Sequence, residues 1–388
     1  MSSIIEKDNK YVANTYARFP VEIAYGKGST LYSPDGKKYI DMGSGIGVTA
    51  FGIRDDEWKN AVINQLDKVQ HTSNLYYTSP CADLAELLCN KTGMKKVFFS
   101  NSGAESNECA IKVARQYGIE KKGADYTTII TLKNSFHGRT LATLSATGQD
   151  VFHAKFLPMP QGFVHGTAND IESIKALVKE NKVCGILIEC VQGEGGVIAL
   201  DKDFVLGVEQ ICKENDIIFM VDEVQTGNGR TGELYAYMNY GVKPDVITTA
   251  KGLGGGLPIG CCMMNEKTEK VLGFGDHGST YGGNPICASG AISVISRLDD
   301  EFLAGVKAKS KYIFDELNGA KGIESVSGLG LMVGIKTTKT AKEVVNECIN
   351  RGVICLTAKD KVRLLPALNI PQDDLEFAIQ TIKAVCAE

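Results

Sequence analysis

The sequence is short of several things. It has one tryptophan, and its apolar residues never run long. No stretch approaches the roughly 18 consecutive apolar residues of a membrane-spanning helix, so no membrane association is expected. An excess of one charge sign is also missing. With 42 Lys and Arg against 46 Asp and Glu, the formal net charge is -4. Nothing basic enough to track a nucleic-acid backbone is present, and no like-charge block forms an interaction tail. The start MSSIIEKDNK lacks the basic and apolar regions of a secretory leader, and none is expected. There is no C-x-x-C pair and no Cys/His cluster with zinc spacing. The five histidines show no H-x-x-x-H pairing, so no metal site is expected.

What is present is ordinary globular composition, 44% hydrophobic and 23% charged, in a chain long enough for a sizeable core and two or three domains. Twelve cysteines are scattered, many in apolar periodic runs (Cys109, Cys184, Cys190, Cys212, Cys261, Cys262, Cys348). They read as small buried hydrophobes in a reducing compartment, which implies a cytoplasmic location.

The middle of the chain alternates apolar runs with helical periodicity. KVFFS (96–100), TTIITL (127–132), CGILIEC (184–190), IIFMVD (217–222), PDVITTA (244–250) and IGCCMM (259–264) read as strands. Helices are expected from Ala104 to about Gly118 and over 203–215. Near-continuous apolar strands between amphipathic helices predict an α/β fold with a buried, mostly parallel sheet. The ends differ. TLYSPDGKKYIDM (30–42) is a hairpin around the turn PDG. A helix over 285–298, the runs VSGLGLMVGIKT, VICLT and VRLLP, and helices over 341–351 and 372–386 suggest a smaller α+β unit. The expected division is 1–50, packing with the small unit, then 51–280 and 281–388.

Several residues then call for chemistry. FMVDEVQTG (219–227) ends an apolar strand in Asp222-Glu223, like the magnesium strand of a P-loop ATPase. The required G-x-x-x-x-G-K-[ST] is absent, and so is a G-x-G-x-x-G dinucleotide fingerprint. Alone, Asp222 reads as a solvated strand end. In FFSNSGAESNECAIKVARQ, a strand leads through Ser102-Gly103-Ala104 into a helix. Ser102 and Glu105 fit a capping box, and the same turn suits a phosphate. FHGRT (136–140) puts an aromatic and an arginine past another strand end, where open α/β sheets bind ligands. Lys251 sits between the PDVITTA strand and the glycine loop GLGGG. A lysine, an acid, a phosphate cradle and a stacking face are together the needs of pyridoxal phosphate.

The chain resembles the class III pyridoxal-phosphate-dependent aminotransferases, the ornithine/acetylornithine group, from about Tyr11 to the C-terminus. The resemblance rests on eight ordered motifs: GKGSTLYSPDGKKYIDMGSGIGVTAFG, FFSNSGAESNECAIKVAR, NSFHGRTLATLSATGQ, CVQGEGGV, VDEVQTGNGRTG, TTAKGLGGGLPIG, HGSTYGGNP and VRLLPAL. It implies the pyridoxal-phosphate fold type I, a large domain with a seven-stranded, mostly parallel sheet plus a small α+β domain. Lys251 matches the cofactor-linking, proton-moving lysine, and Asp222 the acid beside the ring nitrogen. Gln225 matches the residue near the phenolic oxygen, Phe136 the stacking ring, and Ser102, Gly103 and Ala104 the phosphate cradle. Thr280 matches a threonine reaching the phosphate from the other subunit, which implies a homodimer.

For the substrates, Arg363 matches the arginine for the α-carboxylate of glutamate and Arg139 that for a second carboxylate. Glu194 matches a gate on Arg363, and Tyr16 a substrate-side tyrosine. The bland alternatives are a structural ion pair for Glu194 and Arg363 and core packing for Tyr16. The loop Ser44 to Val48 is expected along the substrate path. The implied reaction moves the terminal amine of N-acetylornithine to 2-oxoglutarate, in arginine biosynthesis. Ornithine, succinylornithine and 4-aminobutyrate remain alternative donors, and an aminomutase is the rival from another class. Two departures stand out: AFGIRDDEW lacks a histidine common in relatives, and Asn228 in GNGR replaces a hydrophobic residue. Neither falls among the residues assigned to the chemistry, and Asn228 is a candidate for an altered subunit contact.

Overall fold

The structure, a computed structural model, describes residues 4–388. At its centre is a seven-stranded sheet. From one edge to the other it runs Lys96–Ser100, Gly260–Met264, Val246–Thr249, Ile218–Asp222, Val183–Ile188, Thr128–Leu132 and Phe163–Gly166. Gly260–Met264 pairs antiparallel with both neighbours, while the remaining pairs are parallel. Strands Val183–Ile188 and Ile218–Asp222 are buried at every residue. Helices cover both faces, which is why these runs are apolar throughout and do not alternate.

The expected strands are all present, and Phe163–Gly166 joins them as an edge strand with only its last residue buried. Its half-buried residues FVHG give no apolar run to read. The helix after the first strand extends further than expected, over Gly103–Lys122. It lays Cys109, Ala110, Val113, Ala114, Tyr117 and Gly118 against the sheet. Asp300–Leu317 is a helix that the sequence reading passed over. Asp299 caps it, and Leu303, Val306, Ile313 and Leu317 form its buried stripe. Exposed lysines and acids between those positions dilute the pattern.

The N-terminal hairpin forms as expected, Thr30–Tyr32 against Lys38–Asp41. It is extended by Val353–Ile354, with Val353 opposite Ile40. Ile323–Leu329, Met332–Thr337, Lys361–Leu364 and Leu356–Ala358 form a separate antiparallel sheet. Helix Pro285–Ser296 packs instead on Asp56–Leu66 and Ser79–Thr92. We propose on that packing that the boundary expected near 280 lies just past Ser296. Among the described residues, no helix is long and apolar enough to cross a membrane.

Candidate active site

The carboxyl ends of the parallel strands face one cavity of about 620 Å³. Its wall includes Ser102, Gly103 and Ala104 after the first strand, and Phe136 and Arg139 after Thr128–Leu132. Glu189 and Glu194 follow Val183–Ile188, Asp222 closes Ile218–Asp222, and Lys251 follows Val246–Thr249. Tyr16, Val48 and Gln225 also line the cavity. A larger surface hollow, about 1070 Å³, lies between Ala17–Pro20 and residues 336–342. It is lined by lysines and threonines and contains none of the buried unpartnered polar atoms found at the central cavity.

The cradle is built by helix Gly103–Lys122. Ser102 adopts an extended backbone at the N-cap and its hydroxyl accepts from Glu105 N at 3.2 Å. Glu105 reaches back one residue further than a capping box does, accepting from Asn101 N at 2.5 Å. The first-turn N–H groups of Gly103 and Ala104 have no helical carbonyl to bond and carry the positive end of the helix dipole. A Cβ on Gly103 would meet Val224 Cγ1 at 2.6 Å, so only glycine lets the turn sit this close.

Asp222 is the most heavily held side chain. Its Oδ2 accepts from Asn107 Nδ2 and from His137 Nδ1, each at 2.8 Å. Its Oδ1 accepts from Val224 N at 2.9 Å. Three donors leave this buried carboxylate with its hydrogen-bonding needs met. Asn107 is itself oriented by Thr248 Oγ1, which donates to its Oδ1 at 2.6 Å, and it also donates to His137 O. With His137 Nδ1 facing a carboxylate, that nitrogen carries the proton; Nε2 is buried without a partner.

Lys251 follows its strand in a left-handed conformation, φ 40°. Burial pushes its amine below the usual lysine range, against the pull of Glu194 and Asp222. An amine closer to its neutral form is a better nucleophile and proton acceptor. Glu189 accepts from Phe136 N at 3.0 Å. Burial first, then the Asp222 charge, hold it well above the usual carboxylate range.

Two arginines serve the cavity differently: Arg139 lines it, whereas Arg363 does not and reaches it through Glu194 and Gln225, which do. Arg363, in strand Lys361–Leu364, is 3% exposed. It pairs with Glu194 Oε1 at 2.5 Å and donates to Gln225 Oε1 at 3.3 Å. Its Nε is buried without a partner. Burial alone would raise the Glu194 carboxyl, but Arg363 brings it below its ordinary range. Arg139 is exposed and lies over two rings, 4.3 Å from the Phe152 centroid and 5.4 Å from that of Phe136.

Tyr16 is 69% exposed, so its alternative of core packing fails. Asn228 does not line the cavity but supports the segment before Lys251. It is 2% exposed, and its Nδ2 donates to Ala250 O at 3.1 Å and Thr249 Oγ1 at 2.9 Å, directly before Lys251. A polar side chain replaces an apolar one here because two acceptors wait for it. Thr280 does not line the cavity of its own chain. It lies in a separate hollow with Ser100, Asn101, Glu105 and His277, and Asn101 borders both spaces. His137, Asn107, Glu189 and Phe152 were missed. His137 had a signal, its place beside Phe136, and Asn107 sits one helical turn beyond Gly103 on the same face.

The donor set fits pyridoxal phosphate. A buried amine with a depressed pKa, a triply bonded carboxylate and a helix N-terminus that tolerates no Cβ surround one cavity. Among the described residues no group of His, Cys, Asp and Glu is placed to hold a metal ion.

Comparison with known proteins agrees with this geometry. The family Aminotransferase class-III matches residues 11–386. The acetylornithine aminotransferase of Haemophilus ducreyi is 46% identical over 387 residues, covering 99% of this chain and 98% of that protein. The N-acetylornithine aminotransferase of Stenotrophomonas maltophilia superposes with a TM-score of 0.85 at 30% identity, over 99% of this chain and 98% of that one. The ornithine aminotransferase of Toxoplasma gondii, crystallised with partial occupancy of pyridoxal phosphate, superposes with a TM-score of 0.94 at 26% identity. It covers 99% of this chain and 93% of its own. On the family match and on the near-full-length relatives, this chain belongs to the class III aminotransferases.

Proposed function

We propose that the protein moves the terminal amine of N-acetylornithine to 2-oxoglutarate, giving the semialdehyde and glutamate, with pyridoxal phosphate as cofactor. The observation that carries this reading is one cavity lined by Lys251, by Arg139 with no acidic partner, and by Glu194, which holds a second arginine, Arg363, just outside the lining. The near-full-length relatives named acetylornithine aminotransferase support the choice of donor. Bound pyridoxal phosphate would supply a carbonyl for the amine and an electron-withdrawing ring.

The rest is the work of this chain. The N–H groups of Gly103 and Ala104, with Ser102 beside them, would take the phosphate. Phe136 would lie against the ring, Asp222 would face its nitrogen and Gln225 its phenolic oxygen. Lys251 Nζ would hold and move the proton at the substrate carbon, which its lowered pKa suits. Arg139 would grip a carboxylate of either substrate with two hydrogen bonds. Glu194 would keep Arg363 occupied while an amine donor without a matching carboxylate is bound. It would release Arg363 to the α-carboxylate of glutamate or 2-oxoglutarate. Tyr16 would border the donor's far end.

Both substrates use the same cavity in turn, so kinetics should be ping-pong. Thr280, outside its own cavity, would complete the phosphate site of a second copy in a homodimer. A cytoplasmic place in arginine synthesis follows from the same reading.

The deciding experiment compares kcat/KM for N-acetylornithine, ornithine, succinylornithine and 4-aminobutyrate with 2-oxoglutarate as acceptor. N-acetylornithine should lead. A preference for ornithine would overturn the acyl part of the reading, and turnover of a single amino acid without 2-oxoglutarate would point to an aminomutase.

A further inference from the structure

We propose that Phe152 is the positioning residue for Arg139: its ring fixes the guanidinium at the cavity wall and so sets how tightly a substrate carboxylate is held. The inference rests on the reading of Arg139 as a carboxylate ligand.

Arg139 has no hydrogen-bond or ion-pair partner among the described residues, and it is exposed. A long side chain with no other restraint would keep its rotamer freedom, which a two-point grip on a carboxylate would have to remove. Two aromatic faces restrain it instead. The guanidinium carbon is 4.3 Å from the Phe152 centroid and 5.4 Å from that of Phe136. The two rings stand edge to face, 6.1 Å apart at 78°. A ring face holds a cation without using any of its five N–H donors, so the fork stays available. An acidic partner would hold Arg139 too, but it would occupy the fork.

Phe152 can serve as a fixed shelf because its turn is tied down on both sides. It ends the short 3-10 turn Asp150–Phe152, and its N–H donates to Gln149 O at 3.0 Å. Gln149 Nε2 donates to Ser135 O at 2.9 Å, which joins the turn to the loop carrying Phe136. His153 Nε2 lies 2.8 Å from both Leu144 O and Thr147 O. On the Arg139 side, Gly138 has φ 138°, and a Cβ there would meet Ala104 Cβ at 2.7 Å. Backbone and shelf are therefore both anchored, and the guanidinium is held between them.

The test uses cofactor-loaded enzyme and glutarate, a dicarboxylate that has no amine or keto group to react. Binding is read by calorimetry, and KM and kcat are measured alongside. Phe152→Leu should weaken glutarate about 3- to 10-fold, raise both substrate KM values in step and leave kcat within about twofold. Phe152→Tyr, which keeps the ring face, should bind like the parent, and Phe152→Met gives a second ring-free variant if the leucine protein folds poorly. Arg139→Ala should weaken glutarate about tenfold or more. If Arg139→Ala weakens binding and the ring-free variants do not, this inference is wrong and the carboxylate reading stands. If Arg139→Ala changes nothing, the carboxylate reading fails and this inference fails with it. A loss confined to kcat or to the cofactor's absorbance in Phe152→Leu would mean that Phe152 acts only through Phe136, which also overturns it.

Discussion

The two sides of the site are built on opposite plans. On the Asp222 wall the carboxylate is saturated: it has three donors, and Asn107, which supplies one, is held by Thr248 in turn, with His137 Nε2 the polar atom left over. On the Arg139 side, and at Arg363 beyond Glu194 and Gln225, donors are left over. Arg363 Nε is buried with no partner, and Arg139 rests on ring faces with its fork free. A saturated wall suits a group that stays, because its charges need no rearrangement. An undersatisfied wall suits groups that come and go, because an incoming carboxylate gains bonds that the empty site lacks.

That contrast can be broken at several points. Lys251 stands between the walls, and Lys251→Ala should cost the most, about 10³-fold or more in kcat, with no rescue from either side. Asp222→Asn keeps the shape but offers an NH2 to donors, so it should lower kcat about 10²-fold. His137→Ala, which leaves Asp222 two of its three donors, should lose less. If His137→Ala matched Asp222→Asn, the saturated wall would be acting as a single unit.

Glu194→Gln tests the other wall. Freed from its counter-charge, Arg363 should bind 2-oxoglutarate several-fold more tightly, while KM for the amine donor rises by about the same factor. Steady-state KM values for the two substrates, read together, check the opposite signs. A rise in both KM values would show the pair to be purely structural.

The last test leaves activity aside and concerns stability. Glu223, beside Asp222, is fully buried, and burial pushes its carboxyl up to about 7. Tyr237 N and Thr226 Oγ1 donate to it. The folded state therefore holds this proton more firmly than the unfolded chain does. Stability should fall as pH rises from about 4.5 to about 7, by at most about 1.4 kcal/mol per pH unit from this group, and level off above. Glu223→Gln should remove that slope in urea titrations at pH 5, 6 and 7. A parallel pair of profiles would assign the slope elsewhere.

Lys251, Asp222, Phe136 and the Ser102–Ala104 turn were readable because each stands next to an apolar strand, and a strand end is visible in a linear sequence. His137 and Asn107 were not, because their value is tertiary. They meet Asp222 across 85 and 115 residues of chain. The support that Asn228 gives was hidden for the same reason, since the carbonyl it serves, Ala250 O, comes from another segment. Phe152 lies on a short turn that no periodicity announces. The antiparallel strand Gly260–Met264 reads just like its parallel neighbours, since burial on both faces erases the difference.

The Glu194–Arg363 contact joins more than two charges. Glu194 follows the large sheet, and Arg363 belongs to the separate antiparallel sheet. The bond therefore ties two sheets as well as two charges, and it does not do so alone: Arg230 Nη1 donates to Leu331 O and Pro366 O, and Ser327 Oγ donates to Val197 O. Arg363 can change partners while the seam between the sheets stays stitched.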